Sequence, residues 1–182
     1  MADSNITKRA LSAALKELME TQPFSKISVG DICERCEMNR KSFYYHFRDK
    51  YDLVNWIYDT EFITVVRQSD GQTGWSLVEA LCQYFYDNRS FYRKTLSVDG
   101  QNSFSEYFRS IIAAILAENA EEGPLDEETG RFMVDFYADA FVCAIKRWLL
   151  GRDSVTAEEF SQLLKKCLVG TSLKIVRDLG EK

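Results

Sequence analysis

MNRKSFYYHFRDKYDL, residues 38–53, predicts a short helix with cations and phenols on its outer surface, the profile of a helix that lies in a DNA groove. Asn39 is a good N-cap whose side chain can accept from the first free backbone N–H groups, so the helix runs from there to Phe47. At about 100° per residue Phe43 and Phe47 share one face, which Met38 extends, and that side anchors the helix on a small core. Lys41 and Tyr45 project from the opposite side, Ser42, Tyr44 and His46 lie on the flanks, and Arg40 sits in the first turn. The adjacent rings of Tyr44, Tyr45 and His46 offer contact area at low side-chain entropy cost. Their OH and NH groups suit the phosphate and sugar oxygens that position a protein on a duplex. Arg40 and Lys41 are the candidates for base edges, because both can donate to guanine O6 and N7 in the major groove.

The segment just upstream completes a helix-turn-helix. Ser28 with Asp31 three residues on forms a capping-box pattern, and Val29 and Ile32 begin an apolar face that continues to Cys33 and Cys36. This helix ends near Cys36, with Glu37 and Met38 forming the turn into the recognition helix. Earlier still, Ile6 to Glu20 carries Leu11, Ala14, Leu15, Leu18 and Met19 at helical spacing, so three short helices enclose one core. Phe24 and Ile27, after Pro23, plug its base.

From about Ile6 to Trp56 these residues resemble the N-terminal DNA-binding domain of TetR-type transcriptional regulators. The most specific part is the block Phe43-Tyr44-Tyr45-His46-Phe47 followed by Lys50, Asp52 and Leu53. The resemblance implies that Tyr44, His46 and Lys50 contact backbone phosphates, that Asn39, Arg40, Lys41, Ser42 and Tyr45 face the bases, and that Ser28 and Val29 lie beside the DNA backbone. Two positions depart from the family pattern. Glu37 stands where the family commonly has Gly, at a cost of about 1 kcal/mol if the turn is left-handed. Gly30 falls in the first turn of the second helix, where it weakens helix propensity by up to about 1 kcal/mol relative to Ala.

A helix rich in Tyr and Phe is more often core than interface, and an Arg-Lys pair is usually solvated surface. Here the outward phenols, the cation pair, the capping pattern and the two-helix geometry coincide within a few dozen residues, which favours DNA. Composition agrees. With 46% apolar and 13% aromatic residues the 182-residue chain is folded, and its net charge of −5 excludes a general nucleic-acid sponge. The charge is unevenly placed: residues 1–50 hold nine Lys and Arg against seven Asp and Glu, and the remainder 14 against 21. A slightly positive head on an acidic body suits a protein that docks one end on DNA.

Residues 1–50 are therefore expected as the helix-turn-helix DNA-binding domain and residues 51–182 as a helical regulatory and dimerisation domain, giving an all-α chain. Asp49 with Asp52 starts a helix that Leu53, Trp56, Ile57, Ile63 and Val66 carry toward Gly71, and the loop Ser69 to Gly74 ends it. Further helices are predicted at Trp75 to Asp87, Phe91 to Leu96 and Ser103 to Ala117, followed by an acidic loop from Glu118 to Glu128 inside which the next helix begins. Two long helices close the chain. Phe132, Phe136, Ala140, Ala144 and Trp148 repeat every fourth residue along the first, with Met133, Tyr137, Phe141, Ile145 and Leu149 beside them. In the second, which begins after Thr156, Phe160, Leu163, Leu164, Cys167, Leu168, Ile175 and Val176 form the stripe. Such a pair can join its symmetry mate in a four-helix bundle, which is also how the resembled family dimerises. The resemblance further implies that an effector on the body swings the helix Asp52 to Arg67 and changes the spacing of two heads. Tyr84, Tyr107, Phe108, Asp135, Phe136 and Asp139 are the candidates for an effector pocket, although most such aromatics are core. Asp135 and Asp139 could meet a cation, but an exposed edge or an ion pair with Arg131 explains them better.

Within the family, the opening NITKRALSAALKELM and the junction DKYDLVNWIY resemble regulators of dihydroxyacetone kinase operons, which implies a kinase-like partner protein as an alternative to a small effector. No cofactor and no metal are expected. Cys33 and Cys36 form a C-x-x-C, but zinc needs about four ligands and the single histidine, His46, faces the proposed DNA surface. The odd count of five cysteines fits free thiols in a cytoplasmic protein, and the most apolar run, Ile111 to Ala117, is far below membrane-spanning length. An enzyme would have to work with Asp135 and Asp139 alone, with no nucleophile elbow or phosphate loop, so catalysis is not expected. The competing readings are a helical adaptor that binds protein and a constitutive repressor without a ligand.

Overall fold

The computed structural model describes residues 2–64, 66, 74–98, 100, 103–120, 126–151 and 155–180. Among them the regular elements are all helical: α1 Ala2–Thr21, a 3-10 turn Phe24–Lys26, α2 Val29–Arg35, α3 Arg40–His46, α4 Lys50–Tyr58 widening into a π-turn Asp59–Ile63, α5 Trp75–Asp87, α6 Arg89–Leu96, α7 Phe104–Ala120, α8 Glu127–Leu150 and α9 Ala157–Gly180. The loop expected from Ser69 to Gly74 lies outside the described residues except for Gly74, as does Gly71. Residues 121–125 of the acidic stretch and the side chains of Ile175 and Val176 also lie outside them.

Local chemistry sets most of the helix starts. Ser28 and Asp31 exchange side-chain and backbone hydrogen bonds in a full capping box. Asn39 accepts from Ser42 N, Asp49 from Tyr51 N and Asp52 N, and Asp126 from Thr129 N. Thr156 and Glu159 repeat the reciprocal pattern before α9. Each cap stabilises its helix by about 1 kcal/mol.

The buried residues form one continuous cluster from Leu11 to Phe160. In the head, α1, α2 and α3 close over Leu11, Leu15, Ile32 and Phe43, with Phe24 and Ile27 buried at the base. In the body, the buried ring of Tyr58 at the end of α4 meets Phe62, Tyr84, Phe85, Tyr92, Phe104 and Phe108 at centroid distances between 5.4 and 6.3 Å. Full burial of such a ring is worth about 1.5–3 kcal/mol.

Polar ties fasten head to body. Lys16 of α1 pairs with Glu61 in the π-turn, whose other oxygen accepts from the Tyr84 hydroxyl at 3.2 Å. Tyr84 in turn shares a 2.7 Å hydrogen bond with Tyr92. The neighbouring Asp59 accepts from Tyr107 of α7. Lys94 of α6 donates to the carbonyls of Met19, Glu20 and Gln22, where α1 has run out of backbone partners.

The two long helices meet at their shared corner, where Trp148 stacks on Phe160 at 4.3 Å and donates to the Val155 carbonyl. Along their lengths α8 lies against α7 and α9 against α5. The apolar ladder expected from Phe132 to Trp148 is therefore split. Phe132 and Phe136 stand 72% and 57% exposed, while the inner face of α8 is made by Ala138, Ile145, Trp148 and Leu149. On α9 Phe160 is buried, but Leu163 is exposed. Asp135 and Asp139 take Arg109 of α7 as their partner, not Arg131, which pairs with Glu127.

Candidate nucleic-acid interface

The turn between α2 and α3 is tight. Met38 N donates to Cys33 O at 2.8 Å and Glu37 N to Glu34 O at 3.2 Å, which forces Glu37 to φ 54° in the left-handed region. A non-glycine residue tolerates that conformation at roughly 1 kcal/mol. Cys36 spends its thiol on the Ile32 carbonyl, and burial pushes both the Cys33 and Cys36 thiols up. Cys33 is thus a small core residue and Cys36 is half-buried against the core, both with free thiols. Among the described residues no group of His, Cys, Asp and Glu is arranged to hold a metal ion, and no helix is long and apolar enough to cross a membrane.

Helix α3 is pinned from behind and bare in front. Phe43 is fully buried, Phe47 nearly so, and Phe47 makes an edge contact with Trp56 of α4 at 5.8 Å. On the other side Tyr45 is 82% and Tyr44 58% exposed, and Asn39, Arg40 and Lys41 are exposed with them. Ser42 and His46 are half-buried. The Ser42 hydroxyl donates to its own cap residue Asn39 at 3.3 Å, and the His46 ring stands edge-on to Tyr45 at 4.8 Å. Together with Thr7 and Met38, the residues Asn39, Lys41, Ser42, Tyr45 and His46 line a shallow open groove beside the start of α1.

The start of α2 flanks this surface. Ser28 is exposed and Val29 half-buried, and the hydrogen bonds from Ser28 backbone and side chain hold the Asp31 carboxyl below the usual range. The guanidinium of Arg40 reaches back over the same turn and lies across Gly30. Nine of the ten residues expected to meet DNA thus lie together on the α2–α3 side of the head.

Lys50 is the tenth, and the structure gives it another occupation. Its ammonium donates to Phe24 O and Ile27 O, both at 2.7 Å, stands 3.5 Å from Ser25 O, and sits 4.5 Å above the Phe24 ring. Desolvation lowers its pKa below that of an ordinary lysine, with Asp31 and Asp49 opposing the shift. Its three protons are directed at the loop that delivers Ser28 to the start of α2. No sequence signal marks these partners, which lie 23 to 26 residues away.

The six expected pocket residues are not brought together. Phe108 is buried in the Tyr58 cluster, and Tyr84 and Tyr107 direct their hydroxyls at Glu61 and Asp59 of the π-turn. Burial pushes the Tyr84 hydroxyl well above the ordinary tyrosine range. Asp135, Phe136 and Asp139 stand on the exposed face of α8, with the two carboxylates on Arg109. One set serves the interior and the other the outer surface.

Comparison with known proteins covers most of the chain. Residues 11–57 match the family described as bacterial regulatory proteins of the tetR family, and residues 75–170 match the transcriptional regulator C-terminal region of the same group. The dhaKLM operon transcriptional activator DhaS of Lactococcus lactis is 24% identical over 174 residues, covering 92% of both chains. Among solved structures, the dihydroxyacetone kinase operon activator DhaS is similar with a TM-score of 0.64 at 22% identity, covering 92% of this chain and 97% of that one. A TetR transcriptional regulator from Streptococcus agalactiae is similar with a TM-score of 0.67 at 23% identity, covering 89% and 93%.

Proposed function

The chain belongs to the TetR family of transcriptional regulators, and from that premise we propose that it binds a palindromic double-stranded operator as a homodimer whose affinity is set through the body. The observation that carries the proposal is the two-sidedness of α3. Its rear is locked by Phe43 and Phe47, while Tyr44, Tyr45, Arg40 and Lys41 face solvent on a rigid support. Aromatic hydroxyls and cations held this way can contact phosphates and base edges with little further ordering.

Within that surface Arg40 and Lys41 read bases together with Asn39, Ser42 and Tyr45. Tyr44, His46, Ser28 and Val29 follow the sugar-phosphate chain. Lys50 acts one step back, holding the 23–28 loop against the head. Two copies are needed, because a short recognition helix covers only a few base pairs and paired heads about 34 to 36 Å apart address successive major grooves. The exposed apolar residues Phe132 and Phe136 of α8 and Leu163 and Val169 of α9 supply the surface for that pairing.

Residues 1–50 form the DNA-binding part and residues 51–182 the regulatory and dimerisation part. Similarity to the DhaS activators supports an operon for dihydroxyacetone metabolism as the target, with a partner protein or a small effector acting on the body. A signal that prefers one spacing of the heads shifts operator affinity by linkage, in whichever direction its preference runs.

The test is selection of bound fragments from a genomic library, followed by sequencing. The wild type is expected to enrich a palindrome. Arg40→Ala is expected to relax preference at one position per half-site, and Lys50→Ala to weaken all sequences alike without changing the salt slope, unlike the loss of a phosphate ligand, which lowers it by about one. Failure of the wild type to shift any duplex at low salt would instead favour a protein-binding adaptor. An operator affinity that no metabolite or partner alters would mark a constitutive repressor.

A further inference from the structure

Gly30 occupies the second position of α2, a site where helix propensity alone favours almost any other residue. Its backbone gives no reason for glycine, since Gly30 is absent from the residues with positive φ. What the position lacks is space. A methyl group built on Gly30 would come within 2.5 Å of Nη2 of Arg40 and 3.3 Å of its Cζ and Nε. The guanidinium plane therefore rests where a side chain at position 30 would begin. Arg40 itself is the first residue of α3 and is exposed, so its seat lies on the surface, in the angle between the two helices of the helix-turn-helix.

An arginine side chain extending freely from a helix samples many rotamers and loses that freedom on binding. Here the guanidinium lies against the bare first turn of α2, which supplies a shelf, and the Asp31 carboxylate is close enough to be felt electrostatically. The guanidinium fork is planar and donates in fixed directions, so where it is held determines which guanine O6/N7 edge it can meet.

We propose that Gly30 is a specificity-determining residue: by withholding a side chain it seats the Arg40 guanidinium across α2, and the base recognised through Arg40 is chosen by the two helices jointly. This rests on the DNA-reading surface proposed above and adds to it a residue that makes no DNA contact of its own. Any side chain at position 30 lifts the guanidinium off its shelf. The displaced group is the far end of a flexible chain, so the backbone has no cause to move and α2 gains helix propensity.

The experiment compares wild type, Gly30→Ala, Arg40→Ala and the double variant by thermal melting and by binding to an operator library with every base substituted in turn. Gly30→Ala is expected to melt no lower than wild type. Its base preference is expected to change by roughly ten-fold at the same half-site position that Arg40→Ala relaxes. The double variant is expected to match Arg40→Ala at that position, because the seat has no effect once its occupant is gone. The proposal is overturned if Gly30→Ala keeps the wild-type preference while Arg40→Ala loses it, or if the two changes add independently. A uniform loss across all sequences for Gly30→Ala also overturns it, since the seated group would then be a phosphate ligand. A wild type that selects no sequence removes the DNA reading itself, a different result from a selective wild type with an indifferent Gly30→Ala.

Discussion

Single residues at helix starts link this protein's stability to pH. Asp31, Asp126 and Glu159 each accept a backbone N–H three residues earlier or later, and these bonds, from Ser28, Thr129 and Thr156, hold the three carboxyls below their ordinary range. A carboxyl whose pKa is depressed by folding contributes stability that is present above the ordinary value of about 4 and is lost as pH falls through the lower folded value. Denaturant unfolding followed between pH 7 and pH 2 is expected to give a flat midpoint down to about pH 5 and a progressive decline below about 4, with Asp31→Ala reducing the part of the decline that belongs to α2. A loss completed above pH 5 contradicts this assignment. The Ser28–Asp31 box and the Asn39 cap were legible in the sequence because both partners lie within one turn; the equally local pairs Asp126 with Thr129 and Thr156 with Glu159 were not read there. The tie made by Lys50 was not legible, nor was the seat of Arg40 on Gly30, since each depends on where a distant segment comes to rest.

At the level of elements, the periodic signals served well and the joints did not. Helices α5 and α9 begin where the sequence places them, at Trp75 and just after Thr156, because each combines a clean boundary with an amphipathic face. The π-turn in α4 has no residue pattern of its own and is fixed by ties to three other helices through Asp59 and Glu61. Asp135 and Asp139 do stand on an exposed edge, but their partner escaped sequence spacing for the same reason, Arg109 lying 26 and 30 residues away on the preceding helix. Lys94 is another of these long-range ties, since it meets the last carbonyls of α1 from another element. Lys94→Met keeps most of the stem's packing and removes the donor. It is expected to lower stability by about 1–2 kcal/mol, read as a fall of a few degrees in the melting temperature, while a substitution at exposed Lys41 leaves melting unchanged.

For the whole molecule, the question is what covers the outer faces of α8 and α9. Phe132, Phe136, Leu163 and Val169 are large apolar side chains in contact with solvent in the single chain. Paired against a second copy they would be buried, and the heads would be held at a fixed separation. Phe136→Glu combined with Leu163→Glu is therefore expected to sediment as a single chain with unchanged helix content and to lose operator binding. A doubly substituted protein that still sediments as a dimer would place the pairing surface elsewhere. The change in charge and pattern near residue 50 has no counterpart in hydrophobic burial, for one cluster runs from Leu11 to Phe160. Anyone assembling a hybrid regulator by grafting residues 1–50 onto a foreign body would leave behind the lysine that closes the first helix and the acid that grips Lys16. A transplant cut beyond Leu96 carries both of those fastenings with it, but parts Asp59 from Tyr107 and the Tyr58 ring from Phe104 and Phe108.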